Sequence, residues 1–248
     1  MNGIDHFPKI ISHRGFSDRY IENTIPAFKA AVDADVEMIE MDVHETLDGR
    51  LIVYHDDRLN HHTPPWNSLT YSQVQRLTSH DGRAPLLSDC LEATRSIPVD
   101  IEIKSCKNTY NLLKTLKLSS ISEGSFISSS NVNLLLQLYK RDVQLPLILI
   151  VSISKYRTVK QNFQNAMLCI FPGLLPGFLE GVAVHYPIAR KAFIQHMKKV
   201  GSKVFVWTVD DLEIMEKYVF WGVDGIISNY PHRLQDIKRR WMHIPNKL

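Results

Sequence analysis

Uninterrupted apolar runs are missing from this sequence. None approaches the ~20 residues that a membrane-spanning helix needs, so no such helix is expected. Cysteine is scarce: Cys90, Cys106 and Cys169 are the three present, an odd number with no C-x-x-C spacing. That excludes a disulfide scaffold and a thiolate metal site, and it predicts reduced thiols in a cytoplasmic setting. Charge of one sign is not in excess either. The formal net charge is +3, and Lys and Arg alternate with Asp and Glu along the chain, so nucleic acid is not an expected partner. The first residues, Met1 to Lys9, lack the basic-then-apolar pattern of a secretory leader, which again predicts a cytoplasmic location. With no low-complexity tract, repeat or linker, residues 1–248 read as one domain.

What is present is regular alternation. Short β-branched runs and helical patterns succeed one another from end to end, the signature of a parallel α/β fold. Eight runs are expected to be barrel strands: 9–13, 37–43, 99–104, 125–130, 147–152, 181–186, 204–209 and 225–229. With 248 residues, 44% of them hydrophobic, the chain matches the ~250 residues of a (β/α)8 TIM barrel. A ninth run, 51–55, follows the turn Leu47-Asp48-Gly49 too closely for an intervening helix. It predicts a β-hairpin-like excursion after strand 2 that carries His55 back over the barrel mouth. Helices are expected at 24–34, 68–77, 87–96, 131–141, 189–200 and 212–220, with Ser88 capping the third and Gly201 and Gly222 ending the last two.

Charge sits where a buried strand should have none. Glu40 and Asp42 lie two apart in one hydrophobic run, and Glu102 and Lys104 two apart in another. Side chains at i and i+2 leave a strand on one face, so each pair points together into a place where ionised groups need compensation. Barrel active sites lie at the C-terminal strand ends, where His13, Arg14, Glu40, Asp42, His55, Glu102, Lys104, His185, Trp207, Thr208 and Asn229 all fall. Oxygen ligation by Glu40, Asp42 and Glu102 suits one hard divalent cation, Mg²⁺ or Ca²⁺. Arg14 and Lys104 offset the negative shell and contact phosphate, and two histidines supply acid–base catalysis. Each group alone has a structural reading, a buried ion pair or a satisfied histidine. It is the joint placement that points to catalysis.

The order of motifs resembles the glycerophosphodiester phosphodiesterase family, in the manner of its compact bacterial-type members. The resemblance rests on Ser12-His13-Arg14-Gly15, Glu22-Asn23-Thr24 with Ala27-Phe28, Glu40-x-Asp42-Val43, Thr46-x-Asp48-Gly49, His55-Asp56, Glu102-x-Lys104, Trp207-Thr208-Val209 and Gly222-Val223-Asp224-Gly225-Ile226-Ile227. It runs from about Ile10 to Pro231 and implies metal-dependent hydrolysis of a small-molecule glycerophosphodiester to an alcohol and sn-glycerol 3-phosphate. It further implies His13 and His55 as the acid–base pair, Glu40, Asp42 and Glu102 as metal ligands, and Arg14 and Lys104 on the phosphate. Trp207 would line the glycerol end, with Glu22 and Asn23 bracing the site.

Departures from the family pattern are visible. Ser228-Asn229 stands where the family commonly has Thr-Asp, so a carboxylate is missing before the final proline. Ala34-Asp35 replaces a glycine often found before strand 2. Residues 166–179 are apolar but broken by Pro172, Gly173, Pro176 and Gly177, which keeps open a lysophospholipase D-like or cyclising phosphodiesterase acting on a lipid. A third reading is a non-enzymatic barrel with headgroup affinity alone. The basic tail Lys238 to Lys247 reads as a solvated helix end rather than a membrane contact.

Overall fold

The computed structural model describes residues 6–80, 82–152 and 175–242. Nine strands are described: β1 (Lys9–Ser12), β2 (Met38–Glu45), β3 (Leu51–Val53), β4 (Val99–Ser105), β5 (Phe126–Ser129), β6 (Leu147–Val151), β7 (Gly181–His185), β8 (Lys203–Trp207) and β9 (Gly225–Ser228). All but β3 pair in parallel, and the sheet closes because β1 pairs with both β2 and β9. The result is an eight-stranded (β/α)8 TIM barrel, as the alternation predicts. β3 runs antiparallel to the end of β2, pairing Val53 with Val43 and Leu51 with Glu45. That is the expected excursion, turned at Gly49, whose φ of 77° suits glycine.

The described helices are α1 (Ile25–Asp33), α2 (Tyr71–Thr78), α3 (Leu87–Ala93), α4 (Thr109–Leu118), α5 (Val132–Lys140), α6 (Lys191–Lys199), α7 (Leu212–Trp221) and α8 (Pro231–Met242). The Thr24 side chain caps α1 by accepting from the Ala27 N–H, and Asp211 caps α7 by accepting from the Ile214 N–H. α1 buries Ala27, Phe28 and Ala31 against the barrel, and full burial of Phe28 alone contributes about 2 kcal/mol. Two readings are corrected here. Ser88 does not cap its helix, which begins one residue earlier; its Oγ donates to Asp89 instead. α4 was not among the expected helices, although Asn108 caps it through the Tyr110 N–H. Among the described residues no helix is long and apolar enough to cross a membrane. Trp241, in the basic tail, meets the Phe7 ring edge-on at 5.5 Å. Residues 166–174 of the apolar segment, together with Cys169 and residues 243–248 of the tail, lie outside the described residues.

Two apolar layers result from strand alternation. Outward residues such as Met41, Val43, Ile101 and Val206 pack against the helices. Inward ones, Ile11, Met38, Phe126, Ile148, Phe205 and Ile227, plug the barrel interior. One further step of two along the same strands reaches His13, Glu40, Ser128, Trp207 and Asn229. The polar site therefore stands on an apolar floor, and the same inward parity puts Asp42, Asp100, Glu102 and Lys104 beside it.

Candidate active site

Neighbouring strands hold the acidic cluster in register: Glu40 of β2 lies opposite Asp100 of β4, and Asp42 opposite Glu102. One ligand oxygen each from Glu40, Asp42 and Glu102 comes within 4.8 Å of the others. Carboxylates this close repel by about 3–4 kcal/mol at an effective dielectric of 20, so the cluster needs protons or cations. Both Glu40 and Asp42 are buried. Burial, then Asp42 and Glu102, hold the Glu40 carboxyl well above the usual carboxylate range. Asp42 behaves oppositely. Burial would raise it, but Lys104 and Arg14 outweigh burial and hold it well below that range, with smaller help from His55 and His13. Lys104 Nζ sits 3.0 Å from Asp42 Oδ1 and 2.6 Å from Glu102 Oε1. It occupies an extra residue in β4, since Val43 pairs with Ile103 while His44 pairs with Ser105. Such bulges re-aim side chains beside sites.

The turn after β1 delivers the other cation. Arg14 adopts φ 58° and Gly15 φ 80°, and a Cβ on Gly15 would lie 2.8 Å from the Ala27 carbonyl carbon. Only glycine lets this turn seat against α1. Arg14 places Nε 3.0 Å from Asp42 Oδ2 and its Nη1 2.9 Å from both oxygens of the exposed Glu22, while its backbone N–H donates to Glu40 Oε2. Asn23 is buried and donates its Nδ2–H to Asp42 Oδ2 at 2.8 Å. Glu22 thus orients Arg14, and Asn23 orients Asp42.

His13 places Nε2 3.9 Å from Glu40 Oε2 and Nδ1 2.7 Å from Asn229 Oδ1. Burial, then Arg14, pushes its pKa down to about 4. A small cavity is lined by His13, Glu40, Asp100, Glu102 and Trp207, with Ile150, Ala183 and Ile227 closing its apolar side. The Trp207 indole is held by donation from Nε1 to the Ala183 carbonyl. His185, whose ring stands 5.1 Å from that of Trp207, has a pKa lowered by burial. His55 stands at the rim rather than on the cavity wall. It follows β3 on a loop anchored by buried Trp66, whose Nε1 donates to the Asp56 carbonyl, and its Nδ1 lies 2.8 Å from Asp56 Oδ1.

Two members escaped the sequence reading. Asp100 shares the inward parity of Glu102 and Lys104, which was the available signal. It is buried, accepts from Ser128 Oγ at 2.5 Å, and is held well above the carboxylate range by burial. His44 bonds Ser105 Oγ at 2.9 Å through Nδ1 and the His55 carbonyl at 3.2 Å through Nε2, anchoring the excursion from below.

The sequence profile described as the Glycerophosphoryl diester phosphodiesterase family matches residues 13–233. A Caldanaerobacter subterraneus glycerophosphodiester phosphodiesterase is 30% identical, over 93% of this chain and 98% of its own. A Homo sapiens lysophospholipase D is 23% identical, over 92% of this chain and 85% of its own. In fold, the chain is similar to an Oleispira antarctica phosphodiesterase solved with the product sn-glycerol-3-phosphate. The TM-score is 0.75 at 19% identity, covering 94% of this chain and 97% of that one.

Proposed function

Because the chain belongs to the glycerophosphoryl diester phosphodiesterase family, we propose that it hydrolyses glycerophosphodiesters to an alcohol and sn-glycerol 3-phosphate. One divalent cation, Mg²⁺ or Ca²⁺, is held by Glu40, Asp42 and Glu102. The convergence of those three oxygens within 4.8 Å carries this reading. The donor set fits a hard cation, and buried Glu40 Oε1 has no hydrogen-bond partner among the described residues. Three carboxylates against Arg14 and Lys104 leave one net negative charge. A divalent cation makes that one net positive, the complement of a singly charged phosphodiester. When bound, the cation supplies charge stabilisation on the phosphoryl oxygens.

The protein's own groups do the rest. Arg14 and Lys104 pair with the phosphate oxygens, and Trp207 lines the glycerol end of the cavity. Near neutral pH His13 is uncharged, so it takes the proton from the attacking hydroxyl, whether of water or of the substrate's own glycerol. His55, oriented through Nδ1 by Asp56, protonates the leaving alkoxide. Glu22 and Asn23 brace Arg14 and Asp42. The test is turnover of glycerophosphocholine and glycerophosphoethanolamine with each metal and with EDTA. Activity that survives EDTA overturns the metal assignment, and a cyclic glycerophosphate trapped by phosphorus NMR identifies the glycerol hydroxyl as nucleophile.

Cation binding is coupled to protons. The carboxyls of Glu40 and Glu102 are raised by burial and shared charge, so they favour the metal-free fold at low pH and that stability is lost as pH rises through their folded values. His13 and His44 are lowered from 6.5; they weaken the fold only as pH falls below about 6.5. In thermal melts across a pH series, the melting-temperature rise on adding Mg²⁺ or Ca²⁺ should therefore grow as pH rises through the folded values of these carboxyls. Equal rises contradict the coupling.

A lysolipid substrate is the second reading. The human relative named as a lysophospholipase D favours it, as do Tyr20 and Ile21, exposed beside Glu22 on the loop that carries Arg14. Faster turnover of a lysophospholipid than of its deacylated counterpart would select it.

A further inference from the structure

Asn229 does not face His13 alone. Its Nδ2 donates to Asp210 Oδ2 at 2.7 Å, and its backbone N–H donates to Asp210 Oδ1 at 2.9 Å. Ser228 Oγ donates to the same Oδ1 at 3.0 Å, so three donors from the end of β9 converge on one carboxylate at the end of β8. A carboxylate only accepts. The amide end that meets Asp210 must therefore be the NH₂, and the carbonyl Oδ1 must turn to His13. Facing an acceptor 2.7 Å away, His13 Nδ1 must carry the ring proton. Nε2 is then left bare on the side of Glu40 and the cavity.

We propose that Asp210 is a positioning residue for the reaction, setting the tautomer of His13 through Asn229 so that Nε2 is the proton-accepting nitrogen. The proposal deepens the hydrolytic reading and rests on its assignment of His13. It also explains how the site works without a carboxylate at 229: the negative group stands one link further back, on the loop that follows the neighbouring strand β8. Without that anion nothing prevents the Asn229 amide from turning over and offering NH₂ to the ring. Ser17 Oγ, 3.3 Å from Asn229 Oδ1 and 3.0 Å from the His13 carbonyl, can both donate and accept, so it does not settle the orientation.

Two-bond ¹H–¹⁵N correlation spectra of the imidazole distinguish a protonated from a bare ring nitrogen. Above pH 7 the wild-type protein is expected to carry the His13 proton on Nδ1. Asp210→Asn, which can donate as well as accept, should mix the tautomers and lower kcat roughly tenfold to a hundredfold, with KM within about twofold. Should that variant fail to fold, Asn229→Ala removes the same link while sparing Asp210's bonds to Ser228 and the backbone, and it should give the same mixture. The exchanged pair Asp210→Asn/Asn229→Asp brings the carboxylate directly onto the ring and should restore both the Nδ1 proton and most of kcat. A wild-type proton on Nε2, or an unchanged tautomer in Asp210→Asn and Asn229→Ala, overturns the proposal. If His13→Ala retained wild-type turnover, the hydrolytic role of His13 would fall, yet the tautomer spectra would still decide the relay.

Discussion

Replacing Glu40 with glutamine should abolish turnover and, in metal-free protein, raise the melting temperature. The opposite signs have one cause. Glu40 is buried, shares its corner with Asp42 and Glu102, and leaves Oε1 without a hydrogen-bond partner among the described residues. Its carboxyl is pushed well upward by burial first and by those neighbours second, so an uncharged amide of the same shape lowers the cost of burial when no metal is bound. The Arg14 N–H that donates to Oε2 keeps an acceptor. Sparing the fold the cost of burying that carboxyl, with its proton or its charge, is worth about 1–3 kcal/mol, or several degrees of melting temperature in a chain of this size. The cost appears in function. One of the three proposed cation ligands loses its charge, and the expected fall in kcat/KM is on the order of a thousandfold, since such charge stabilisation contributes several kcal/mol. Added Mg²⁺ or Ca²⁺ should no longer shift the melt. A Glu40→Gln protein that turns over normally, or that melts lower than wild type without metal, contradicts the arrangement proposed here.

The second large effect concerns the histidines. His13→Ala and His55→Ala should each lower kcat by about 10²–10⁴-fold, and the double variant should be scarcely worse than either single one, because the proposed mechanism has both act in a single proton-transfer sequence. Leaving-group chemistry separates their roles. A substrate with a nitrophenolate leaving group needs no proton on departure, so it should rescue His55→Ala substantially and His13→Ala hardly at all. The reverse pattern would exchange acid and base; equal rescue would remove both from the reaction. Neither substitution should unfold the protein, since both rings lie at the barrel mouth, above the apolar floor of Ile11, Met38, Phe126 and Phe205.

Much of this protein is legible along the chain because strand alternation is local. β-branched runs predict the eight staves, and the two-residue spacing of Glu40 with Asp42 and of Glu102 with Lys104 predicts that each pair faces one way. The Asp48-Gly49 turn predicts the hairpin that returns toward His55, and β3 forms there. Failures have local reasons too. α4 is capped by Asn108, whose capping role competes with a loop reading, and Ser88 lies inside the first turn of α3 rather than ahead of it because Leu86 is the cap. Asp100 was passed over as one more residue of a strand, although its parity matched its neighbours.

Other relations have no local signature. Asn229, met in sequence, is a carboxylate lost; folded, it is the bridge from Asp210 to His13, 216 positions away from it in the chain. Glu40 meets Asp100, and His13 meets Asn229, because β2 pairs with β4 and β1 with β9 when the barrel closes. Chain order states which side of a stave a group occupies, since that follows from backbone geometry within two residues. Which groups stand within 3 Å of each other follows from hydrogen-bond register between distant strands, and no stretch of sequence contains both partners of that register.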